Sequence, residues 1–222
     1  MISKIVHKSK PITLVGAGDV DTALLKQVIS YAPTLVAADG GAVHIRDVGL
    51  MPDAVIGDMD SLSGNLKAKL PKTILYPIAE QDSTDFEKCL MRIEAPAIVG
   101  LGFLGGRLDH QLAAFHGLVR FPKQRCILLG PDELVFLCPP AVDIPLNVGT
   151  PVSLFPLGAV TGRLQGLKWS FDMLDFAPGQ RIGTSNEAAG AIHLEMSAPY
   201  MLCILPASCF ETVLAALTAQ TD

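Results

Sequence analysis

The feature that most restricts the fold is an alternation of short apolar runs and longer helical patterns between residues 12 and 129. The apolar runs occupy residues 12–15, 35–38, 54–56, 73–76, 98–100 and 126–129. Helical periodicity is found over residues 19–30, 86–93 and 108–121. This alternation is typical of a parallel sheet with crossover helices. We therefore predict an N-terminal, Rossmann-like α/β domain built on a parallel sheet.

The sequence changes character after residue 131, where prolines and glycines interrupt short apolar segments. Three of these segments are residues 152–155, 191–196 and 200–205. Short strands separated by such turns are typical of a sandwich or a barrel. We place the domain boundary near Pro139, which gives domains of residues 1–138 and 139–222. Residues 208–218 fit either a final helix or a strand.

The composition excludes several classes of protein. The formal charge of −5 and the scattered lysines and arginines provide no basic surface for nucleic acid. No apolar stretch approaches the roughly 20 residues that span a bilayer, and the N-terminus lacks the apolar segment of a signal peptide. The 5 cysteines form no CxxC pair. We expect a cytoplasmic protein with reduced thiols and no membrane or nucleic-acid partner.

Four polar turns lie at or just beyond the ends of predicted strands. They are residues 39–41 (Asp-Gly-Gly), 57–61 (Gly-Asp-Met-Asp-Ser), 82–85 (Asp-Ser-Thr-Asp) and 105–110 (Gly-Gly-Arg-Leu-Asp-His). In a parallel sheet all four share the edge where strand ends and helix N-termini open onto a crevice. We predict a ligand site there.

Asp58 and Asp60 are the strongest metal-ligand candidates. In an extended segment, residues two apart point to the same side, so the two carboxylates need a cation between them. Mg²⁺ prefers oxygen ligands and is commonly bound by one or two carboxylates together with substrate phosphates. The alternative is a surface turn in which Asp58 caps Ser61 and Leu62. Asp85 is a third candidate, although Asp82 and Asp85 also fit an ordinary helix start.

The Gly-Gly-Arg turn suits a phosphate. Gly106 lets backbone amides approach closely, and Arg107 presents a rigid fork of donors. Asp109 can orient Arg107 or reach a metal-bound water, whereas His110 fits a capping or packing role. Gln81 can donate to a phosphate oxygen.

The turn at Asp39 and Gly40 has two interpretations: Asp39 binds ligand, or it only supports the loop. A dinucleotide site at Gly16-Ala17-Gly18 is a weaker hypothesis. Asp21 stands in place of the third glycine of that motif, and the additional carboxylates have no role in hydride transfer.

Trp169, the only tryptophan, precedes the polar turn at residues 183–187. A lone tryptophan is most often a core or interface aromatic. The alternative is a plate on which a flat cationic heterocycle stacks, with Ser185 and Asn186 bonded to its edge. The sequence spacing does not distinguish these two interpretations of Trp169.

Together these motifs resemble the thiamine pyrophosphokinase (thiamine diphosphokinase) family over nearly the whole chain. The matching segments are residues 38–42, 52–61, 81–85, 105–110, 167–169 and 183–186. The resemblance implies an α/β catalytic domain, a C-terminal β-sandwich, and a homodimer with active sites shared between subunits. It also implies transfer of the pyrophosphoryl group of ATP to the hydroxyl of thiamine, with Mg²⁺. A pyrophosphokinase for another heterocyclic alcohol, such as a hydroxymethylpterin, and a non-catalytic nucleotide or thiamine sensor are the alternatives.

The resemblance also implies roles for individual residues. Mg²⁺ ligands would be Asp58, Asp60 and Asp85, which with Arg107 and Asp109 form the catalytic set. The nucleotide would contact Asp39, Gly40, Gln81, Gly106 and Arg107. Thiamine would contact Trp169, Ser185 and Asn186. The sequence departs from the family pattern at Val43, His44 and Ala114, all outside the metal cluster.

Overall fold

A computed structural model describes residues 2–219 of the chain. These residues form two compact units. The first comprises the described residues up to Gly117 together with Leu128–Pro131. The second comprises Leu118–Ile127 and the described residues from Asp132 onward.

The first unit alternates strands and helices along the chain, as predicted. Its elements are β1 (Val6–His7), β2 (Ile12–Val15), α1 (Thr22–Tyr31), β3 (Thr34–Ala38), α2 (Ala42–Asp47), β4 (Ala54–Gly57), α3 (Gly64–Lys69), β5 (Leu75–Pro77), α4 (Asp85–Arg92), β6 (Ile93–Glu94), β7 (Ile98–Leu101) and most of α5 (Leu108–Arg120). The residues of α5 from Leu118 onward belong to the second unit. The strand predicted at residues 73–76 begins later, because Lys72–Ile74 forms a 3₁₀ turn after Pro71.

Strand pairing in the first unit is parallel. β3, β4 and β5 form one parallel set, and β2 pairs with β7. Every residue of β2, β3, β4 and β7 is buried, which explains why these strands read as continuous apolar runs. Because the paired strands are parallel, the turns that follow them begin at the same edge of each set.

The second unit is dominated by antiparallel strands. Strand β8 (Cys126–Leu129) lies at the division, and β9 (Glu133–Leu137), β10 (Ala141–Ile144), β11 (Pro151–Pro156), β12 (Val160–Leu167), β13 (Phe171–Phe176), β14 (Gly183–Met196), β15 (Met201–Pro206) and α6 (Phe210–Thr218) follow. The mixed α/β class is thus confirmed. Of the two predictions for residues 208–218, the structure has the helix, α6, whose apolar side chains at helical spacing are buried.

Strand β14 joins two sets of neighbours. Its first half pairs with β11, and its second half pairs with β10 on one side and β12 on the other. Long strands that change partners in this way form the corners of packed or closed sheets. The predicted boundary near Pro139 falls after β9, whereas β9 pairs with β15 of the second unit.

The cysteines lie mostly in the core. All five thiols are free; four are buried and Cys209 is partly exposed. Burial raises the pKa of Cys89 and Cys126, which disfavours their reactive thiolates. Among residues 2–219, no helix combines the length and apolar character that crossing a bilayer requires.

An ion-pair network crosses the second unit's sheet. His193 Nδ1 lies 2.7 Å from Asp143 Oδ1, and its Nε2 lies 3.1 Å from Glu195 Oε1. Arg163 joins the network through Glu195 at 2.9 Å and Asp172 at 2.7 Å. Hydrogen bonds to Glu195 and Asp143 raise the pKa of His193, because they favour its protonated form.

We expect this histidine to make stability depend on pH. A raised histidine pKa adds stability that is fully present below the unfolded value of about 6.5 and is lost as pH rises through the folded pKa. The contribution should be about 1 kcal/mol or less, since water screens the exposed carboxylates. Urea unfolding between pH 6 and 8 should show this loss in the wild type and a flatter profile in His193→Gln. His44→Gln, outside the network, should retain the wild-type slope; an unchanged slope in His193→Gln would contradict the assignment.

Candidate active site

The turns that follow β2, β3 and β4 meet at one edge of the first unit. Gly41 packs against the carbonyl of Val15 so closely that any side chain there would overlap it. A Cβ on Gly40 would lie 3.2 Å from the Cβ of Ser61. A Cβ on Gly57 would lie 2.7 Å from the Cβ of Asp39 and 3.0 Å from Asp85 Oδ1. Glycines therefore allow the acidic turns to approach one another.

Asp39 lies at the centre of this edge. It follows β3 in a 3₁₀ turn with a positive φ of 41°, and it is only 1 % exposed. Its Oδ2 accepts a hydrogen bond from the Ser61 amide at 3.1 Å. Its Oδ1 is buried without a hydrogen-bond partner among the described residues. A buried carboxylate oxygen without a partner is costly, and a cation would satisfy it.

Asp58 and Asp60 complete a group of three carboxylates with Asp39. One oxygen from each of the three lies within 4.8 Å of the others. Asp58 Oδ1 accepts from the Asp60 amide at 3.3 Å, whereas the Ser61 amide donates to Asp39. The alternative in which Asp58 caps Ser61 is therefore not the arrangement present.

Asp85 is held beside this group through a lysine that the sequence analysis missed. Lys88 Nζ lies 3.1 Å from Asp85 Oδ1 and 3.4 Å from Asp58 Oδ2. Gln81 Nε2 donates to Asp58 Oδ2 at 3.3 Å. The available signal was the spacing of Asp85 and Lys88, which places both on one face of a helix.

The start of α4 differs from the prediction. Thr84, not Asp82, is the N-cap residue, and it forms a reciprocal capping box with Glu87. Asp82 instead donates its amide to Glu80 at 2.9 Å. Because Thr84 satisfies the helix start, Asp85 is free to face Lys88.

The electrostatics of the site favour a bound cation. The pKa of Asp39 is raised to about 6, chiefly by burial and also by the neighbouring Asp85, Asp58 and Asp60 charges, while the Ser61 hydrogen bond opposes the change. Burial also raises the pKa of Asp85, although Lys88 opposes the change. For Asp58, burial is outweighed by hydrogen bonds from Asp60 and Gln81 and by the Lys88 charge, so its pKa is lowered. Of these four carboxylates, only Asp58 and Asp85 contact the ammonium of Lys88 among the described residues.

The group fits Mg²⁺. All its donor atoms are carboxylate oxygens, the ligand type that Mg²⁺ prefers. The unpartnered Oδ1 of Asp39 supplies a ligand atom that nothing in the described chain uses. The structure groups Asp39 with Asp58 and Asp60, whereas the family resemblance predicts Asp85 as the third ligand.

The Gly-Gly-Arg turn lies between β7 and α5. Gly105 and Gly106 have positive φ values of 81° and 64°. Arg107 makes a bidentate pair with Asp109, with Nε–Oδ1 at 3.1 Å and Nη2–Oδ2 at 2.6 Å. The Arg107 hydrogen bond lowers the pKa of Asp109. Both side chains are exposed, and so is His110.

A second polar arrangement lies within the second unit. Asn186 Oδ1 accepts from the Trp169 amide at 3.2 Å and the Glu187 amide at 2.8 Å, and its Nδ2 donates to the Trp169 carbonyl at 2.9 Å. The buried Asn186 thus holds the backbone of Trp169, whose side chain is 51 % exposed. Lys168 Nζ lies 5.1 Å from the centre of the indole ring. Exposed Ser185 adopts a positive φ of 65° beside them.

The three departures from the family pattern lie on helices. Val43 is exposed and His44 is partly buried on α2, and Ala114 is buried on α5. None of them contributes an atom to the acidic group.

Comparison with known proteins identifies the chain. Residues 25–129 match the profile "Thiamin pyrophosphokinase, catalytic domain", and residues 141–201 match "Thiamin pyrophosphokinase, vitamin B1 binding domain". Thiamine pyrophosphokinase 3 of Oryza sativa subsp. japonica is 30 % identical, over 77 % of this chain and 79 % of the relative. Thiamine pyrophosphokinase 1 of the same plant is 31 % identical, over 68 % and 70 %.

Solved structures share the fold. Thiamin pyrophosphokinase from Candida albicans superposes with a TM-score of 0.75 at 17 % identity, over 90 % of this chain and 93 % of that one. The enzyme from Geobacillus thermodenitrificans gives 0.74 at 22 % identity, over 88 % and 97 %. From its two matched domains and its relatives, this chain belongs to the thiamine pyrophosphokinase family.

Proposed function

We propose that the protein is an ATP-dependent thiamine diphosphokinase, which transfers the pyrophosphoryl group of ATP to the hydroxyl of thiamine and releases AMP. The observation that carries the proposal is the convergence of three carboxylate oxygens within 4.8 Å, one of them buried and unpartnered. This group lies in the part of the chain that matches the catalytic domain.

Asp39, Asp58 and Asp60 would hold Mg²⁺, with Asp85 adjacent. When bound, Mg²⁺ supplies positive charge that neutralises the phosphoryl oxygens of ATP. The family resemblance instead gives Asp58, Asp60 and Asp85 as ligands, so the two sets differ only in the third carboxylate. Asp85 stays next to the group because Lys88 contacts both Asp85 and Asp58.

The remaining residues of the first unit would position the triphosphate. Gly106 leaves the backbone amides of its turn accessible, and Arg107 offers a fork of donors that Asp109 holds in orientation. Gly40 lets its turn pack closely against Ala17 and Ser61, and Gln81 keeps Asp58 in place. The thiamine alcohol would attack the β-phosphorus in line with the departing AMP, so catalysis is mainly positioning and charge stabilisation.

Trp169 would bind thiamine. Its indole is half exposed, and the Lys168 ammonium lies 5.1 Å from the ring centre, a contact that supports a cationic ligand at this ring. The thiazolium ring of thiamine is flat and cationic, as such a face prefers. Ser185 is exposed beside the ring, whereas the amide of Asn186 bonds the backbone of Trp169 and Glu187.

The family resemblance further supports a homodimer with shared active sites and a cytoplasmic location. Exposed apolar side chains along β13 provide a surface that a second subunit would cover: Phe171 is 39 % exposed and Met173 is 63 % exposed. Light scattering coupled to size exclusion tests the dimer.

The reaction is tested by incubating the protein with ATP, MgCl₂ and thiamine and following products by mass spectrometry. We expect thiamine diphosphate and AMP in equal amounts, and neither without thiamine or with EDTA. A hydroxymethylpterin supplied in place of thiamine should yield no diphosphate. AMP without thiamine diphosphate, or preference for the pterin, would contradict the proposal, and binding without turnover would favour the sensor.

A further inference from the structure

Lys88 is a lysine in an energetically unfavourable environment. Its side chain is only 2 % exposed, and it lies near the start of α4. Burial of an ammonium is unfavourable, and the positive end of the helix dipole disfavours a cation there. The contacts with Asp85 Oδ1 and Asp58 Oδ2 compensate for both effects.

Lys88 also lies at the border of the metal group. Asp58, one of its two partners, belongs to the group of three carboxylates, whereas Asp39 and Asp60 have no hydrogen bond to Lys88 among the described contacts. A divalent ion on Asp58 would be close to the ammonium. Because two cations repel one another, Lys88 and the metal oppose each other at Asp58.

We propose that Lys88 is a positioning residue that serves as the resident counter-ion of the metal site. It holds Asp58 and Asp85 in place when no metal is bound, and it lowers the affinity of the acidic group for Mg²⁺. The inference rests on the metal site of the proposed function. It concerns metal affinity in the absence of substrates, so it can be measured without turnover.

The test compares the melting temperature of wild type and Lys88→Met in EDTA and in increasing MgCl₂, without substrates. In EDTA, loss of the ammonium should lower the Tm by about 5 °C or more, because it leaves two partly buried carboxylates uncompensated. The Mg²⁺-induced rise in Tm should be at least about twice that of wild type, since tighter binding stabilises more. A residue that only packs would lower the Tm equally with and without Mg²⁺, and that result would overturn the inference.

Two further variants complete the experiment. Lys88→Arg keeps the charge and should restore the wild-type response to Mg²⁺. Lys69→Met removes an exposed lysine on α3 and should leave the response unchanged. If Lys88→Met does not fold in EDTA, Mn²⁺ binding to Lys88→Gln is measured by electron paramagnetic resonance; tighter binding than wild type supports the inference, and equal or weaker binding overturns it.

The two proposals fail differently. Absence of any Mg²⁺ or Mn²⁺ response in the wild type would overturn the metal site and the role of Lys88 together. A wild-type response with no larger effect in the Lys88 variants would overturn the role of Lys88 alone. Metal binding as expected, with no thiamine diphosphate formed, would refute only the proposed reaction.

Discussion

Asp58→Asn should lower kcat/KM for thiamine diphosphate formation by at least about 100-fold, which corresponds to about 2.7 kcal/mol of lost transition-state stabilisation. Asparagine keeps the size of the side chain but removes the charge that the group of Asp39, Asp58 and Asp60 shares. It also removes an acceptor of Lys88 and Gln81. Steady-state rates measured at several MgCl₂ concentrations check this expectation.

The fold of Asp58→Asn should persist, because the side chain is at the surface of the site and 18 % exposed. Circular dichroism and a thermal melt verify that loss of rate is not loss of structure. Asp47→Asn, an exposed aspartate at the end of α2, is the matched control and should have the wild-type rate. Turnover of Asp58→Asn close to wild type would remove Asp58 from the ligand set.

Trp169→Ala should raise the KM for thiamine by about 10-fold or more, with a much smaller change in kcat. A cation over an indole face contributes about 0.5–2 kcal/mol, and stacking of a flat ring adds to it. Because the indole is already half exposed, its removal should cost little stability. The KM for ATP should not change, since the acidic group is untouched. Initial rates with each substrate varied separately provide the measurement.

Two comparisons make the Trp169 prediction specific. Trp169→Phe keeps an aromatic face and should recover most of the thiamine affinity. Phe155→Ala removes a partly exposed aromatic side chain from β11 and should leave the KM unchanged. A fall in kcat with no change in KM would instead indicate that Trp169 acts in the transition state and not in ground-state binding.

Much of the first unit follows from local sequence. Buried parallel strands must be apolar on both faces, so β2, β3, β4 and β7 stand out as short uninterrupted runs. The polar turns at their carboxyl ends then belong to one edge. This pattern is less informative at residues 73–76, because a 3₁₀ turn follows Pro71 and the strand begins later. It is also ambiguous at residues 208–218, where the apolar spacing of α6 fits a strand as well.

The partners within each site could not be deduced in this way. Asp39 bonds to Ser61, Lys88 to Asp58 and Asn186 to Trp169, which are 22, 30 and 17 residues apart. Such pairings depend on which turns the folded chain brings into contact, and hydrophobic periodicity carries no information about them. Sequence patterns therefore leave two interpretations for Asp39, indicate no role for Lys88, and do not reveal that Asn186 binds the backbone of Trp169.

The amino-acid sequence by itself determined the strand order along the chain, the acidic and glycine-rich turns, and the family to which they point, because these depend on neighbouring residues. Only the tertiary structure decided which carboxylates meet, which oxygen lacks a partner and which lysine balances them. The physical reason is that burial and charge compensation arise between side chains distant in sequence, after the strands have packed.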